Sequence, residues 1–288
     1  MKIDRFKVPP GGKGFSLKAC STSDSSGVRD KAEGAKLLEK SIRKLAEIQD
    51  VLYAHDRYGI LIIFQAMDAA GKDGTIKHVM SGINPQGCQV FSFKSPSAEE
   101  LDHDYMWRTM RCLPERGRIG IFNRSYYEEV LVVRVHPEWL DNAKLPPSCL
   151  KDIWKNRFED INNIEQYLVR NGIIPIKFFL HLSYEEQLKR FLKRCDDPTK
   201  NWKFSSADAR ERKLWDKYMH AYEDMLRHTS THAAPWYVVP ADKKWFTRVA
   251  VSEIIVDRLS KLDLHYPKLT DQQIEDLKLI REQLLSND

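Results

Sequence analysis

Apolar residues along the chain form short continuous runs separated by amphipathic stretches. The strongest run, at 58–65, has the length and composition of a parallel strand that is buried on both faces. Similar runs predict strands at 88–93, 119–122, 173–182 and 236–239. Because helical patterns lie between these runs, we predict an α/β fold with a parallel sheet between two layers of helices.

The amphipathic stretches carry apolar residues every three or four positions, which predicts helices. The first extends over 31–55, where Leu38, Ile42 and Leu45 illustrate the spacing. Further helices are predicted at 99–112, 148–170, 184–194, 206–227 and 243–262, and a terminal one at 270–285.

The two ends of the chain differ from its middle. Residues 1–30 contain Pro9-Pro10-Gly11-Gly12 and a serine-rich stretch with little periodicity, so we predict an extended or partly disordered arm. The domain organisation that follows is an arm at 1–30, one α/β domain at 31–265, and a helical tail at 266–288. We find no internal repeat.

Composition narrows the class of protein. The chain is 42% hydrophobic and 30% charged, which is typical of a globular protein, and no apolar run reaches membrane-spanning length. The five cysteines are scattered without CxxC pairs, and no signal sequence opens the chain, so we expect a cytoplasmic protein with reduced thiols. The net charge of +5 suits an anionic ligand and equally an ordinary solvated surface.

A turn rich in small residues connects the first buried run to a helix. Small residues let a backbone curl around an anion, helix-terminal N–H groups point at it, and Lys72 adds a positive charge. The turn departs from the usual G-x-x-x-x-G-K-[ST] pattern at Ala66 and Asp73. We interpret it as a phosphate loop; the alternative is a tight turn with a solvated lysine. The predicted phosphate-binding residues are Ala69, Ala70, Gly71, Lys72, Asp73, Gly74 and Thr75.

Asp68 lies inside this turn. A carboxylate beside phosphates is electrostatically unfavourable unless a metal ion binds there or the carboxylate accepts a proton. We therefore assign Asp68 to metal binding or to positioning of the acceptor phosphate. A turn-forming role, in which its side chain bonds the local backbone, is the alternative.

A second polar segment follows the run at 119–122 and begins Asn123-Arg124. Carboxyl ends of parallel strands face one crevice, so this segment should meet Lys72. The planar guanidinium of Arg124 matches two phosphoryl oxygens. Asn123 occupies the place of a metal-binding aspartate, and Glu128 supplies a nearby negative charge. Alternatively, Arg124 and Glu128 form a surface ion pair four residues apart on a helix.

Basic residues crowd 188–208, where one helix ends near Pro198 and the next begins near Ser206. We predict a helical lid at about 190–208, with Arg190 and Arg194 on one face closing over the transition state and Lys203 binding phosphate. The alternative is a solvated basic helix. Other cations are candidates for lining a polyanion channel: Lys77, Lys94, Arg108, Arg111, Arg116 and Arg118.

In this order, the phosphate loop, the Asn123–Glu128 segment and the lid resemble the family-2 polyphosphate kinases over about 35–265. The resemblance implies a P-loop NTPase-like, thymidylate-kinase-like fold. It also implies reversible phosphoryl transfer between inorganic polyphosphate and AMP or ADP, making ADP and ATP. Asn123 with Glu128 is similar to the subgroup acting on both nucleoside mono- and diphosphates. The cofactor implied is Mg²⁺, replaceable by Mn²⁺, and the assembly implied is a homo-oligomer, expected to be a tetramer.

Two other functions stay open. An ATP-dependent nucleoside monophosphate kinase has the same fold, although Asp73 replaces its usual Ser or Thr after the lysine. A nucleic-acid-binding protein would use the basic segments against a phosphate backbone. Because the sequence carries neither an RNP-like nor a helix-turn-helix signature, we expect no nucleic-acid partner. Because no apolar run reaches membrane-spanning length, we also expect no membrane partner.

Overall fold

The computed structural model of the protein describes residues 1–203 and 205–286, without the side chain of Lys203. Its sheet contains five parallel strands in the order β2-β3-β1-β4-β5. Each predicted strand is confirmed to within one residue at either end. The strands are β1 (Gly59–Gln65), β2 (Cys88–Ser92), β3 (Ile119–Asn123), β4 (Ile173–His181) and β5 (Trp236–Pro240).

Helices alternate with these strands, as the periodicity predicts. The Asp30 carboxylate caps the first helix by accepting hydrogen bonds from the N–H groups of Ala32 and Glu33. The helices are α1 (Lys31–His55), α2 (Lys72–Val79), α3 (Ala98–Asp102), α4 (Trp107–Met110), α5 (Val132–Val135), α6 (Pro147–Leu150), α7 (Ile153–Arg170), α8 (Tyr184–Asp196), α9 (Ser206–Arg212), α10 (Trp215–Thr229), α11 (Lys244–Leu259) and α12 (Asp271–Ser286).

Three predicted helices are wrong as continuous elements, because local turns divide them. The 99–112 helix is interrupted where the Asp104 carboxylate accepts from the Met106 N–H at 2.9 Å, which competes with helical bonding. The 148–170 helix divides at Asp152, whose φ of 54° is left-handed. The 206–227 helix divides between α9 and α10 at residues 213–214.

The sheet separates two apolar cores. Alternate residues of β1 point to opposite faces, so Ile62 and Phe64 pack against one core and Leu61 and Ile63 against the other. Helices α1, α2 and α11 cover the first core, and α7 and α10 cover the second. All seven residues of β1 are buried, which agrees with its prediction as a central strand.

The N-terminal arm packs against the domain. Val8 is fully buried, its N–H donates to the Trp236 carbonyl at 2.9 Å, and Lys7 forms an antiparallel bridge with Tyr237 of β5. Phe6 and Leu17 are also buried. Of the two predicted possibilities, an extended or a partly disordered arm, the structure shows a packed arm whose few apolar residues lack periodicity but fit the core.

The C-terminal helix α12 confirms the helix predicted at 270–285, and none of its residues is buried. Its exposed apolar side chains are Ile274, Leu277, Leu279, Ile280, Leu284 and Leu285. Within the described ranges, no helix combines the length and apolarity needed to cross a membrane.

Candidate active site

The predicted crevice forms where β1 and β3 end side by side. Phe64 of β1 is the register partner of Asn123 in β3, and the Arg124 N–H donates to the Phe64 carbonyl at 3.0 Å. This pairing brings the loop after β1 and the segment after β3 to the same edge of the sheet. The expected meeting of Lys72 with Arg124 therefore follows from strand register alone.

Lys72 lies at the N-terminus of α2 and folds back over the loop. Its Nζ donates to the Ala66 carbonyl at 2.9 Å, and the residue is only 8% exposed. Burial, reinforced by the nearby Arg124 charge, lowers the pKa of Lys72 to about 8. A solvated surface lysine is thereby excluded. The first N–H groups of α2 have no acceptor within the helix, and such groups can bind an anion.

Arg124 joins two carboxylates across the crevice. Its Nη2 lies 2.7 Å from Asp68 Oδ1, and its Nη1 lies 3.3 Å from Glu128 Oε2. Glu128 is fixed in turn by Gln65, whose Nε2 donates to it at 2.8 Å. The Glu128 carboxylate is the main cause that raises the pKa of Arg124 above its usual range. The ion pair therefore forms, but in the crevice and on a 3₁₀ turn rather than on an exposed helix.

Asn123 and Asp73, which both depart from the usual motifs, form a hydrogen bond with each other. Asn123 Nδ2 donates to Asp73 Oδ1 at 2.7 Å, which links the end of β3 to the first turn of α2. Asn123 is 8% exposed, so this bond is largely shielded from water. The amide at 123 thus complements the carboxylate at 73, where a second aspartate would repel it.

Arg190 requires a correction. It is 7% exposed, and all five of its N–H groups are occupied by the protein. Nε donates to Glu186 at 2.9 Å, whereas Nη1 and Nη2 donate to backbone carbonyls at the ends of β1 and β5. The structure therefore places Arg190 against the phosphate loop and not in a lid above the reacting phosphates. The reason is that the part of α8 that contains Arg190 packs against the loops after β1 and β5, whereas the basic last turn of the helix comes after this contact.

The lid itself has the predicted helix–loop–helix form. Helix α8 ends at Asp196, and α9 begins after Ser205, whose hydroxyl accepts from the Ala207 N–H at 3.1 Å. Arg194 Nη1 lies 3.5 Å from Asp208 Oδ2, which ties α8 to α9. Arg190 and Arg194 thus serve different contacts and do not act as one face. The predicted phosphate-binding side chain of Lys203 lies outside the described part.

The other predicted loop residues occupy their expected places. Ala69 and Gly71 adopt left-handed backbone conformations, with φ values of 64° and 103°. The Ala70 N–H donates to the Met67 carbonyl at 3.2 Å. Thr75 is 4% exposed in the first turn of α2, and a side chain added at Gly74 would meet open space.

The predicted cation channel is only partly present. Lys94 and Arg108 line a cavity beside Arg124. Arg116 instead donates to the carbonyls of Arg57 and Asn171, at the amino ends of the strands. Arg118 directly precedes β3 and lies at the same end. Both were wrongly included, because residues that precede a parallel strand lie at its amino end, away from the crevice at the carboxyl ends.

The cavity beside Arg124 has a volume of about 310 Å³, which is in the range of small-molecule sites. Its wall combines aromatic and aliphatic side chains with seven charged residues, four of them basic. The Tyr105 hydroxyl is buried without a hydrogen-bond partner among the described residues. The lining includes Phe93, Leu101, Tyr105, Val133, Trp139 and Arg157.

A smaller cavity of about 30 Å³ adjoins Asp68, Arg124 and Glu128. Glu211 of α9 reaches it from the lid side, held by the Tyr218 hydroxyl at 2.6 Å and by His136 Nε2 at 2.9 Å. Sequence reasoning missed Glu211, because a charged residue on an amphipathic helix carries no signal of its partner. It also missed Gln65, although a polar residue ending a buried strand is such a signal.

The carboxylates of this region could contribute to a metal site only together with other ligands. Within the described residues, no cluster of three or more His, Cys, Asp or Glu side chains could hold a metal ion alone. Mg²⁺ commonly binds proteins through one or two carboxylates plus substrate phosphates. Asp68, whose side chain is 33% exposed beside the smaller cavity, can supply such a ligand.

Comparisons with known proteins identify the family of the chain. A sequence model of the polyphosphate kinase 2 family matches residues 28–267. An ADP-polyphosphate phosphotransferase of Rhodopseudomonas palustris is 52% identical over 287 residues, which is 99% of each chain. An AMP/ADP-polyphosphate phosphotransferase of Meiothermus ruber is 42% identical, over 92% of this chain and 96% of that one. The crystal structure of polyphosphate kinase 2 from Arthrobacter aurescens TC1 superposes with a TM-score of 0.86 at 39% identity, covering 96% of both chains.

Proposed function

Because the chain belongs to the polyphosphate kinase 2 family, we propose that it transfers phosphoryl groups reversibly between inorganic polyphosphate and AMP or ADP, making ADP and ATP. The observation that carries this proposal is the meeting of Lys72, Asp68 and Arg124 in one crevice at the carboxyl edge of the sheet. The names of two relatives that match nearly the whole chain support the substrates.

The two substrates occupy different parts of the crevice in this proposal. The cavity of about 310 Å³ receives the nucleoside, since its wall offers the aromatic side chains of Phe93, Tyr105 and Trp139. Arg124 borders that cavity and receives the nucleotide phosphates. The end of the polyphosphate chain binds the phosphate loop, where Lys72 and the N-terminus of α2 provide positive charge.

Catalysis by these residues consists of alignment and charge neutralisation, which phosphoryl transfer needs more than a covalent nucleophile. Lys72 and the loop N–H groups hold the donor phosphate. The guanidinium of Arg124 is oriented in advance by Asp68 and Glu128, so it is available as a planar fork between donor and acceptor. Asp73 and Asn123 keep the start of α2 against the end of β3.

Asp68 is the residue that we propose to hold Mg²⁺, or Mn²⁺ in its place. When bound, the ion neutralises charge on the phosphate oxygens. Asn123 is a weaker candidate ligand, because its amide oxygen carries no full negative charge.

We further propose that the chain acts as a homo-oligomer, with a tetramer expected, in the reducing cytoplasm. The five free cysteines support the compartment, and the family resemblance supports the assembly. Light scattering coupled to size-exclusion chromatography measures the assembly directly, and a monomeric mass would contradict it.

The decisive experiment supplies ADP, Mg²⁺ and long-chain polyphosphate without ATP and detects ATP by luciferase luminescence. We expect ATP to accumulate, and AMP with polyphosphate to yield ADP. Absence of both products, with conversion of AMP by added ATP, would instead identify an ATP-dependent nucleoside monophosphate kinase.

A further inference from the structure

Helix α8 holds the phosphate loop by three consecutive backbone carbonyls. Gln187 Nε2 donates to the Asp68 carbonyl at 3.0 Å, and Arg190 Nη1 donates to the carbonyls of Ala69 and Ala70 at 3.0 and 2.9 Å. Gln187 and Arg190 are three positions apart and therefore share one helix face. They are 1% and 7% exposed, so the contact is shielded from water.

Holding these carbonyls fixes the direction of the following N–H groups. In a planar trans peptide, the carbonyl of one residue and the N–H of the next point in opposite directions. The N–H groups of Ala69 and Gly71 are therefore turned away from α8, and the Ala70 N–H closes onto Met67 at 3.2 Å. Gly71 directly precedes α2, so the contact with α8 sets the backbone direction at the residue that leads into the N-terminus of that helix.

The loop needs such support because its backbone is unusual. Ala69 has a φ of 64°, a conformation that non-glycine residues keep only where their surroundings fix it. The bonds from α8 grip the carbonyl before Ala69 and the carbonyl of Ala69 itself. The left-handed turn is thus held from both sides.

Other elements keep the two donors in place. The Gln187 Oε1 accepts from Arg212 Nη1 at 2.8 Å, and Arg212 belongs to α9. Arg190 Nη2 donates to the carbonyls of Ala241 and Asp242, after β5. Gln187 therefore connects the phosphate loop to α9, and Arg190 connects it to the loop after β5.

We propose that Gln187 and Arg190 are positioning residues for phosphoryl transfer, which orient the loop N–H groups without touching a phosphate. This inference rests on the proposed function. Their loss lowers kcat and raises the KM for polyphosphate, since the N–H groups no longer converge on the transferred group. The KM for ADP stays nearly constant, because the nucleoside occupies the cavity beside Arg124.

The test compares Gln187→Glu and Arg190→Lys with Leu188→Gln. Glutamate keeps the size of Gln187 but cannot donate to Asp68, and lysine keeps the charge of Arg190 without its five-donor fork. Leu188 lies on the same helix and is 44% exposed, which makes it a matched control. We expect kcat/KM for polyphosphate to fall about 10- to 100-fold in both variants, the KM for ADP to stay within about twofold, and the control to match wild type.

Circular dichroism and thermal melting establish that the variants fold; if Arg190→Lys does not fold, Gln187→Glu decides alone. Rates within twofold of the control, or a loss that raises the KM for ADP equally, overturn the positioning role. A wild-type chain that makes no ATP from polyphosphate overturns the proposed function instead. Stabilisation by inorganic tripolyphosphate then tests the loop without turnover: a smaller melting shift in the variants supports the inference, and equal shifts overturn it.

Discussion

At the scale of single residues, Lys72 carries the positive charge that we propose binds polyphosphate, but its buried position disfavours that charge. Its pKa near 8 means that the free enzyme carries the cation below pH 8 and loses it above. We expect kcat/KM for polyphosphate to be flat below about pH 8 and to fall toward tenfold per pH unit above it, because this parameter reports the free enzyme.

The pH profile is measured with ADP saturating and free Mg²⁺ held constant. At saturating polyphosphate the fall shifts to higher pH, since the bound anion raises the pKa of the ammonium group. Lys72→Arg, whose charge does not titrate in this range, should lack the descent in its residual activity. A wild-type profile that stays flat to pH 9.5 would contradict the role of Lys72.

Asp68 permits a comparison at equal exposure. Asp68→Asn keeps the shape but removes the carboxylate that pairs with Arg124 and that we propose as the metal ligand, so we expect kcat to fall about 100-fold or more. Asp24→Asn is the control, because Asp24 pairs with Arg5 at 2.6 Å and is 32% exposed, against 2.7 Å and 33% for Asp68. The unfolding free energies of both variants should lie within about 1 kcal/mol of the wild-type value. Steady-state kinetics with urea unfolding measures both effects.

At the scale of secondary-structure elements, a buried ion pair joins β4 to α7 behind the Arg124 segment. Lys177 donates to Glu165 at 2.6 Å, and the hydroxyls of Tyr126 and Tyr127 donate to the same carboxylate at 2.9 and 2.7 Å. Lys177 and Glu165 are both fully buried. The turn after β3 is therefore anchored to two other elements through its tyrosines.

Removing one partner leaves the other charge without compensation. We expect Lys177→Met to cost about 3–5 kcal/mol of unfolding free energy, and the additional change Glu165→Gln to recover part of it. Lys44→Met is the control, since Lys44 and Glu47 form an exposed pair at 3.3 Å whose loss costs about 0.5 kcal/mol or less. Urea unfolding distinguishes the cases. A cost for Lys177→Met no larger than that of the control would contradict the anchor.

The elements also show what sequence can predict. The strands were found because each is a continuous apolar run, and the crevice was found because parallel strands end at one edge. Arg190 was misplaced because the direction of a helical side chain depends on what the helix docks against, here loops some 50 and 120 positions away. Periodicity predicts that a helix exists, but it carries no information about such distant contacts.

At the scale of the whole molecule, the two ends of the chain contribute differently. Phe6 and Val8 of the arm are buried in the domain, whereas α12 has no buried residue. We expect deletion of 1–30 to give an insoluble or strongly destabilised protein. Deletion of 271–288 should change the melting temperature by less than about 3 °C.

Phe6→Ala tests the arm without deletion. Loss of a buried phenylalanine costs about 3–5 kcal/mol, which corresponds to a melting temperature lower by roughly 6 °C or more. Ile274→Ala in α12 is the apolar control, since its side chain is 42% exposed. Differential scanning calorimetry measures both. Equal melting temperatures for the two variants would show that the arm contributes nothing to stability.

The contact of Lys7 and Val8 with β5 has a consequence for biosynthesis. Lys7 and Val8 are synthesised first, but they can pair with β5 only after Trp236 and Tyr237 have been synthesised. The arm therefore packs on the edge strand β5 late in biosynthesis. Contacts between segments so far apart in sequence slow folding, and incompletely synthesised chains can aggregate in the meantime. A nascent polypeptide stalled before residue 236 should therefore remain sensitive to protease at its beginning, however well its first helices have formed.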